Sequence, residues 1–84
     1  MIVKFRQTFI KNLKKVNPKI QNKTYSRIEL FKLSPYDIRL NNHALSGKFS
    51  GHRSINITGD YRAIFYEKNE IATFINLGTH SQLY

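Results

Sequence analysis

The apolar residues at the start of the chain change from a strand pattern to a helical pattern. Residues Ile2–Phe5 are β-branched or aromatic around one lysine, which predicts a short strand. A first helix follows, because Phe9, Leu13 and Val16 recur at positions i, i+4 and i+7. We expect Thr8 to cap this helix and the apolar stripe to face the core.

A second helix begins after a break at Asn17-Pro18. Asparagine is a good N-cap, and proline is tolerated in the first helical turn, where its missing N–H would have no partner. Ser34-Pro35 ends the helix, because the residue before a proline disfavours helical geometry. The core-facing side of this helix is predicted to carry Ile20, Thr24, Ile28 and Phe31. The two helices therefore form a hairpin.

After Gly47 the period of the apolar residues falls to two, the spacing of half-buried strands. Strands are predicted at residues 54–58, 61–66 and 71–77, joined by turns at Gly59-Asp60 and Lys68-Asn69. The element order is then β-α-α-β-β-β in a single domain over residues 1–84. This order predicts an α+β fold, with an antiparallel sheet core and the two-helix hairpin packed on one face. The other face of the sheet must be exposed to solvent or covered by a partner.

Charge narrows the class of partner. Fourteen Lys and Arg against five Asp and Glu leave +9, which predicts a polyanion: nucleic acid, an anionic membrane or an acidic protein. No apolar run approaches the roughly 20 residues that span a bilayer, and the start of the chain lacks the features of a signal peptide. We therefore expect a cytoplasmic protein without a membrane partner. The chain has no cysteine, and its three histidines lack metal-site spacing, so neither a metal nor another cofactor is expected.

The last seven residues carry candidate acid–base chemistry. Histidine can give or take a proton near neutral pH, and His80 stands four residues before the terminal Tyr84. His43, Asp60 and Arg62 lie upstream. Together these residues indicate acid–base catalysis on a polyanion, whereas His80 alone would equally fit a solvated tail.

Four short motifs occur in order along the second half of the chain. They are His43-Ala44-Leu45-Ser46-Gly47, Gly51-His52-Arg53-Ser54, Gly59-Asp60-Tyr61-Arg62-Ala63-Ile64-Phe65 and Gly78-Thr79-His80-Ser81-Gln82-Leu83-Tyr84. In this order and at these spacings they resemble the RelE/ParE superfamily of bacterial toxins, and most closely its YafQ- and YoeB-like mRNA interferases. The resemblance covers nearly the whole chain, including the order of elements.

The resemblance implies the toxin of a type II toxin–antitoxin system with metal-independent endoribonuclease activity. Its substrate would be mRNA in the A site of the 30S ribosomal subunit, beside 16S rRNA, and a cognate acidic antitoxin would hold it in check. Cleavage of RNA through its own 2′-hydroxyl needs a base for that proton, a cation for the charged phosphorane and an acid for the leaving 5′-oxygen.

The resemblance also assigns catalytic roles to four residues. His80 matches the general acid of the family, and His43 occupies a position suited to the general base. Arg62 matches a strand arginine that can pair bidentately with a phosphate, and Asp60 can accept a proton or orient His80. Simpler roles stay open: a turn residue for His43 and for Asp60, and a salt bridge between Asp60 and Arg62.

Five further residues are expected to contact substrate. Tyr61 stands at a position that can stack on a base, and Tyr84 matches the terminal aromatic residue of the family. Lys48 and Arg53 are candidate phosphate contacts. Asn56 replaces a histidine of YafQ-like toxins and can only hydrogen-bond, which favours two catalytic histidines instead of three. Burial in the sheet is the alternative for Tyr61, and solvation the alternative for the two cations.

Two other functions are compatible with these residues. One is a ParE-like gyrase poison on the same fold, and the other is a catalytically silent basic module that binds RNA. Paired histidines with a terminal tyrosine favour the nuclease, because such poisons generally lack this acid–base set. Loss of toxicity in His80→Ala without loss of RNA affinity would separate the nuclease from the silent module.

Overall fold

The computed structural model describes all 84 residues, and its elements follow the predicted order with short additions. The main elements are β1 (Ile2–Phe5), α1 (Gln7–Lys15), α2 (Pro18–Leu33), β2 (His43–Ala44), β3 (Arg53–Asn56), β4 (Tyr61–Lys68), β5 (Ile71–Thr79) and α3 (His80–Leu83). Single-turn 3₁₀ helices at Ile38–Leu40 and Gly47–Phe49 flank β2. The predicted α+β fold class is confirmed.

The first helix begins directly after the last backbone hydrogen bond between the β1 segment and the sheet. The N–H of Arg6 still donates to the carbonyl oxygen of Phe74 in β5, at 2.9 Å, and α1 starts at the next residue, Gln7. Arg6 is the N-cap and provides no side-chain hydrogen bond. Thr8 therefore lies inside the helix, and the prediction that it caps α1 is wrong.

The second helix has the predicted ends, and three of the four residues predicted on its core-facing side are buried, whereas Ile20 is half-buried. Asn17 Oδ1 accepts the N–H of Ile20 at 3.0 Å, Pro18 is the first helical residue, and the helix ends at Leu33. Its buried residues are Thr24, Ile28 and Phe31. Although α2 has 16 residues, no helix of the structure is long and apolar enough to cross a membrane.

The five strands form one sheet in the order β1-β5-β4-β3-β2. The meander of β3, β4 and β5 is antiparallel as predicted, and β2 joins it antiparallel at one edge. At the other edge β1 runs parallel to β5, so the sheet is mixed. Periodicity identifies a strand but not its distant pairing partner, and the two residues of β2 are too few to show a period.

The hairpin between β4 and β5 turns one residue later than predicted. Asn69 and Glu70 have φ values of 54° and 64°, and positive φ at both central residues is what a tight two-residue hairpin turn requires. The register shifts after Ile64, which leaves Ile75 of β5 as a β-bulge. Both strands run further than predicted, to Lys68 and to the end of β5.

The helices α1 and α2 cover one face of the sheet, and the core lies between the helices and that face. Phe31 packs its ring against Phe65 and Phe74, with centroid distances of 5.0 and 5.2 Å. The core cluster comprises Phe9, Ile28, Phe31, Leu40, Ile55, Ile57, Ala63, Phe65, Ala72, Phe74 and Leu77. Because side chains alternate along β4, Arg62 and Tyr66 point to the other face, which we call the open face.

Candidate active site

A pocket of about 230 Å³ lies on the open face where three distant segments of the chain meet. The segments are β2 with the loop after it, β4, and α3 with the terminal residue. The pocket is lined by His43, Leu45, Ser46, Arg62, His80 and Tyr84, and we call it the histidine pocket. Four of the nine predicted site residues are thus brought together, and no Asp or Glu side chain is among the lining residues.

His43 is held by its own turn through one nitrogen of its ring. Its Nδ1 lies 2.8 Å from the carbonyl oxygen of Asn41, whose left-handed backbone (φ 46°) reverses the chain just before β2. A carbonyl oxygen can only accept, so Nδ1 carries the proton of the neutral ring. The lone pair is then on Nε2, on the exposed side chain.

Arg62 is anchored by one nitrogen and leaves the rest of its guanidinium free. Its Nη1 donates to the carbonyl oxygens of Thr58, Gly59 and Tyr61, at 3.1, 3.0 and 3.3 Å. A salt bridge to Asp60, the simpler role considered for both residues, is not formed: the ion pairs of the protein join Lys32 to Glu29 and Arg39 to Asp37. The remaining N–H groups of Arg62 are therefore available to an anion.

The C-terminal residues form a helix of one turn, an element that the predicted order does not contain. The N–H of Gln82 donates to Thr79 Oγ1 at 3.2 Å, and the N–H of Thr79 donates to Gln82 Oε1 at 2.8 Å, a complete capping box. The N–H of His80 donates to the carbonyl oxygen of Asp60 at 3.1 Å. The rings of His80 and Tyr84 lie 4.9 Å apart, so the fold fixes both side chains at the pocket.

Asp60 touches His80 through its backbone and not through its carboxylate. The carboxylate makes no hydrogen bond and no ion pair, and it does not line the histidine pocket. The N–H of Asp60 donates to Thr58 Oγ1 at 3.2 Å within the turn before β4. The structure thus places Asp60 in a turn, where it supports the position of His80.

Tyr61 lies on the helix-covered side of the sheet, since it precedes Arg62 in the same strand. It packs half-buried against the core and lines a larger pocket of about 420 Å³ between the ends of α1, β5 and α3. The asparagine side chains in this pocket form hydrogen bonds within the protein: Asn12 Nδ2 donates to Asn76 Oδ1 at 2.6 Å, and Asn17 caps α2. Tyr61 is therefore not brought to the histidine pocket, and burial is its observed environment.

The two predicted phosphate contacts also lie outside the pocket. Arg53 Nε donates to Asn42 Oδ1 at 2.7 Å, and its guanidinium lies 5.5 Å from the ring of Tyr36. Lys48 is exposed, with Nζ 5.3 Å from the ring centroid of Phe49. Arg53 is thus occupied by a structural contact, whereas Lys48 forms no ion pair.

Asn56 lies next to the pocket without lining it. It is the cross-strand partner of Arg62, so both side chains share the open face. Its Oδ1 is buried and has no hydrogen-bond partner. Sequence reasoning missed Leu45 and Ser46 as pocket walls, for which adjacency to His43 was the only signal. It also missed the capping box, although a threonine three residues before a glutamine is a recognisable helix start.

The pocket combines groups that can perform acid–base chemistry with a cation. No group of three His, Asp or Glu side chains in the structure is arranged to hold a metal ion. Two imidazoles and a guanidinium line the same pocket, and Nε2 of one imidazole, that of His43, has no hydrogen-bond partner. This is the set of groups that phosphoryl chemistry on RNA requires.

Comparison with known proteins gives the family. The family model described as "Bacterial toxin of type II toxin-antitoxin system, YafQ" matches residues 1–84. The chain belongs to this family. The resemblance inferred from the four motifs is therefore confirmed, and the chain is a YafQ-family toxin of a type II system. No curated protein matches the chain by sequence.

Solved structures of toxins share the fold of this YafQ-family toxin. YafQ from E. coli is 20% identical with a TM-score of 0.83, covering 98% of this chain and 96% of that one. The E. coli DinJ–YafQ toxin–antitoxin complex gives 21% identity and a TM-score of 0.80, with 98% and 94% covered. The RelB–RelE antitoxin–toxin complex from Methanococcus jannaschii gives 22% and 0.77, with 96% and 94% covered.

Proposed function

We propose that this toxin is a metal-independent endoribonuclease that cleaves mRNA on the translating ribosome through attack by the 2′-hydroxyl. The observation that carries the proposal is the convergence of His43, Arg62 and His80 on one pocket. Family membership supports it, and so does the charge of +9, which attracts a polyanion. The proposed place of action is the 30S A site beside 16S rRNA, and hence the cytoplasm.

In this mechanism two histidines act on opposite sides of the scissile phosphate. Nε2 of His43 takes the proton of the 2′-hydroxyl, whose oxygen attacks the phosphorus. The free N–H groups of Arg62 stabilise the negative charge of the phosphorane. His80 then protonates the departing 5′-oxygen, which leaves a 2′,3′-cyclic phosphate and a 5′-hydroxyl. His43 is favoured over Asp60 as the base, because the Asp60 carboxylate does not line the pocket.

The terminal ring adds a contact to the substrate. Tyr84 is 44% exposed and lines the pocket beside His80, so its ring can stack on a base or sugar next to the scissile bond. In the proposed function Lys48, two residues after Ser46 of the pocket wall, assists with its charge, and Asn56, the cross-strand partner of Arg62, assists with its amide N–H groups.

The proposed partner is a cognate acidic antitoxin. Two of the structural relatives are complexes with an antitoxin, DinJ in one case and RelB in the other. Nine excess positive charges favour an acidic segment that covers the phosphate-binding groups and suppresses activity. Co-purification from the native operon tests this, and lack of any acidic protein bound below micromolar Kd at moderate salt would reject it.

Mapping of mRNA 5′ ends after expression of the toxin tests the ribonuclease proposal. We expect new 5′-hydroxyl ends inside translated frames, lost in His80→Ala and retained in Ser81→Ala, an exposed neighbour on the same helix. A 2′-deoxy nucleotide at the scissile position should block cleavage. EDTA should slow cleavage no further than its effect on the ribosome. Intact mRNA together with double-strand DNA breaks would instead indicate a gyrase poison.

A further inference from the structure

A row of aromatic rings continues from the histidine pocket along the open face. The ring centroid of Tyr84 lies 4.9 Å from that of His80 and 5.8 Å from that of Phe49. Phe49 lies 6.2 Å from His52, and His52 lies 5.8 Å from Tyr66 of β4. We call Tyr84, Phe49, His52 and Tyr66 the aromatic row. It leads away from the pocket, and the proposed mechanism uses only its first ring.

The rings of the row are accessible. Tyr84 is 44% exposed, and the other three are half-buried. The helices α1 and α2 pack on the opposite face of the sheet, so neither covers the row. Successive rings meet nearly edge to face, at 78° to 86° between their planes, which leaves outward surface on each.

Basic side chains surround the far end of the row. Arg6 Nη2 donates to the hydroxyl oxygen of Tyr66 at 3.3 Å. Tyr66 pairs with Thr73 in β5, and Thr73 pairs with Lys4 in β1, so all three side chains share the open face. Lys68 follows Tyr66 by two residues on β4 and has the same orientation. None of the three cations forms an ion pair.

The electrostatic field at this end is positive. The hydrogen bond from Arg6 lowers the pKa of Tyr66, a hydrogen bond from Thr73 adds to the effect, and the charges of Arg6 and Lys68 act in the same direction. Glu67 is the one acidic residue of β4, and alternation turns it to the opposite face. An anionic chain passing along the row would therefore be attracted at this end.

We propose that the aromatic row is a track for single-stranded RNA that continues the histidine pocket. Bases stack on the rings, while Arg6, Lys4 and Lys68 contact the phosphates, a combination by which proteins hold single strands without reading their sequence. An acidic peptide would use the cations but has no need of four successive rings, so the observations favour RNA. The inference rests on the proposed ribonuclease function.

The position of His80 gives the track a polarity. In the proposed mechanism His80 protonates the 5′-oxygen of the nucleotide on the 3′ side of the scissile bond, so that nucleotide lies next to His80. Tyr84, the first ring of the row, is in contact with His80. The row therefore receives the nucleotides downstream of the cleavage point.

Oligonucleotide titration tests both the track and its polarity. The probes are an RNA dinucleotide with a 2′-methoxy group, which cannot be cleaved, and the same dinucleotide extended by three nucleotides on the 3′ or the 5′ side. Binding is followed by NMR at fixed moderate salt. The 3′ extension should raise the affinity about tenfold or more, since base–aromatic stacking contributes on that scale per base. The 5′ extension should raise it much less.

Matched variants show which residues provide the gain in affinity from the 3′ extension. Tyr66→Leu should lose most of the 3′ gain, whereas Tyr25→Leu, which changes a 55% exposed tyrosine on α2, should keep it. Lys4→Gln should weaken binding of the 3′-extended probe more than Lys23→Gln, although both remove one charge. Arg6→Gln changes an exposed side chain and tests the same end of the row if Tyr66→Leu does not fold.

Four results would overturn the track: equal gains from both extensions, a 3′ gain retained in Arg6→Gln and in any folded Tyr66→Leu, no binding of any probe, or the same NMR shifts with a polyglutamate peptide. Cleavage of mRNA on ribosomes is scored separately. Cleavage without a 3′ gain rejects the track alone, and a 3′ gain without cleavage rejects the ribonuclease alone.

Discussion

Neighbouring residues of β4 belong to two different environments. Phe65 is fully buried between the helices and the sheet, against Phe31 and Phe74. Tyr66 is half-buried on the open face, where Arg6 donates to its hydroxyl group. The same strand thus contributes Phe65 to the core and Tyr66 to the aromatic row, although Ile64, which alternation also places on the open face, is fully buried. In the proposed function the helix-covered face stabilises the fold, and the pocket and the row of the open face act on the ligand.

Buried polar groups without a partner occur on both sides of the sheet. On the helix-covered side, buried Thr24 donates through Oγ1 to the carbonyl oxygen of Ile20 at 2.8 Å, but Nε of Arg27 on α2 is buried without a hydrogen-bond partner. On the open face, Ser54 Oγ and Asn56 Oδ1 are in the same condition. Each such group costs about 1–3 kcal/mol. Neither face is therefore free of this cost, and the two that lie on the open face are both on β3.

The largest effect should come from removing the proposed acid on the open face. His80→Ala should lower the rate of mRNA cleavage by roughly 10²–10⁴, the usual contribution of a general acid. Ribosome binding should hardly change, because fourteen basic side chains dominate it. Single-turnover cleavage and ribosome pelleting measure the two quantities. An unimpaired His80→Ala would return His80 to the role of a surface histidine.

The matching substitution on the helix-covered face should act on stability. Phe65→Ala removes a ring that packs at 5.0 Å from both Phe31 and Phe74, and such truncations cost about 3–5 kcal/mol. Thermal unfolding should shift down by about 15 °C or more. Cleavage per folded molecule, measured well below the new Tm, should stay near wild type. A selective loss of activity with an unchanged Tm would contradict the division between the faces.

Local sequence patterns predicted the helices and the main strands, but they did not predict which strands pair across the sheet. The stripe of α2 and the alternation of the meander appear within a few residues, so both were found. The parallel pairing of β1 with β5 depends on the return path of the helical hairpin, which no short window contains. The two-residue strand β2 is defined only by its partner β3.

The site was predicted more unevenly. Alternation within the strand at 61–66 already requires Tyr61 and Arg62 to face opposite sides, so they could not both line one pocket. The environment of Arg53 depends on Asn42, which comes from a separate turn. The resemblance pointed to His43, Arg62, His80 and Tyr84 because motifs report on sites that the fold assembles from distant segments.

A smaller effect should follow from moving α3 by a substitution at the residue before its N-cap, which leaves every residue of α3 unchanged. A Cβ on Gly78 would lie 3.0 Å from Gln82 Oε1, which accepts the N–H of Thr79 in the capping box. Gly78→Ala should therefore displace α3 with His80 and lower the cleavage rate about tenfold, since small misplacements in an active site are costly. Gly59→Ala is the control, because no atom lies within 4 Å of its Cβ position. Equal rates for the two variants would show that α3 tolerates the shift.

The smallest effect is expected on the Tm, from the segment that connects α2 to β2 and contains the first 3₁₀ helix. The side chain of Arg39 and then its backbone N–H lower the pKa of Asp37 to about 2 from 3.8, with Oδ–N distances of 2.9 Å. Asp37 caps the 3₁₀ helix that carries buried Leu40 and leads to the turn before His43. Because the folded-state pKa is depressed, this stabilisation is present above about pH 4 and is lost as the pH falls through about 2. The Tm difference between wild type and Asp37→Asn should therefore be small at pH 5 and vanish near pH 2. A difference that does not change over this range would show that the ion pair does not contribute.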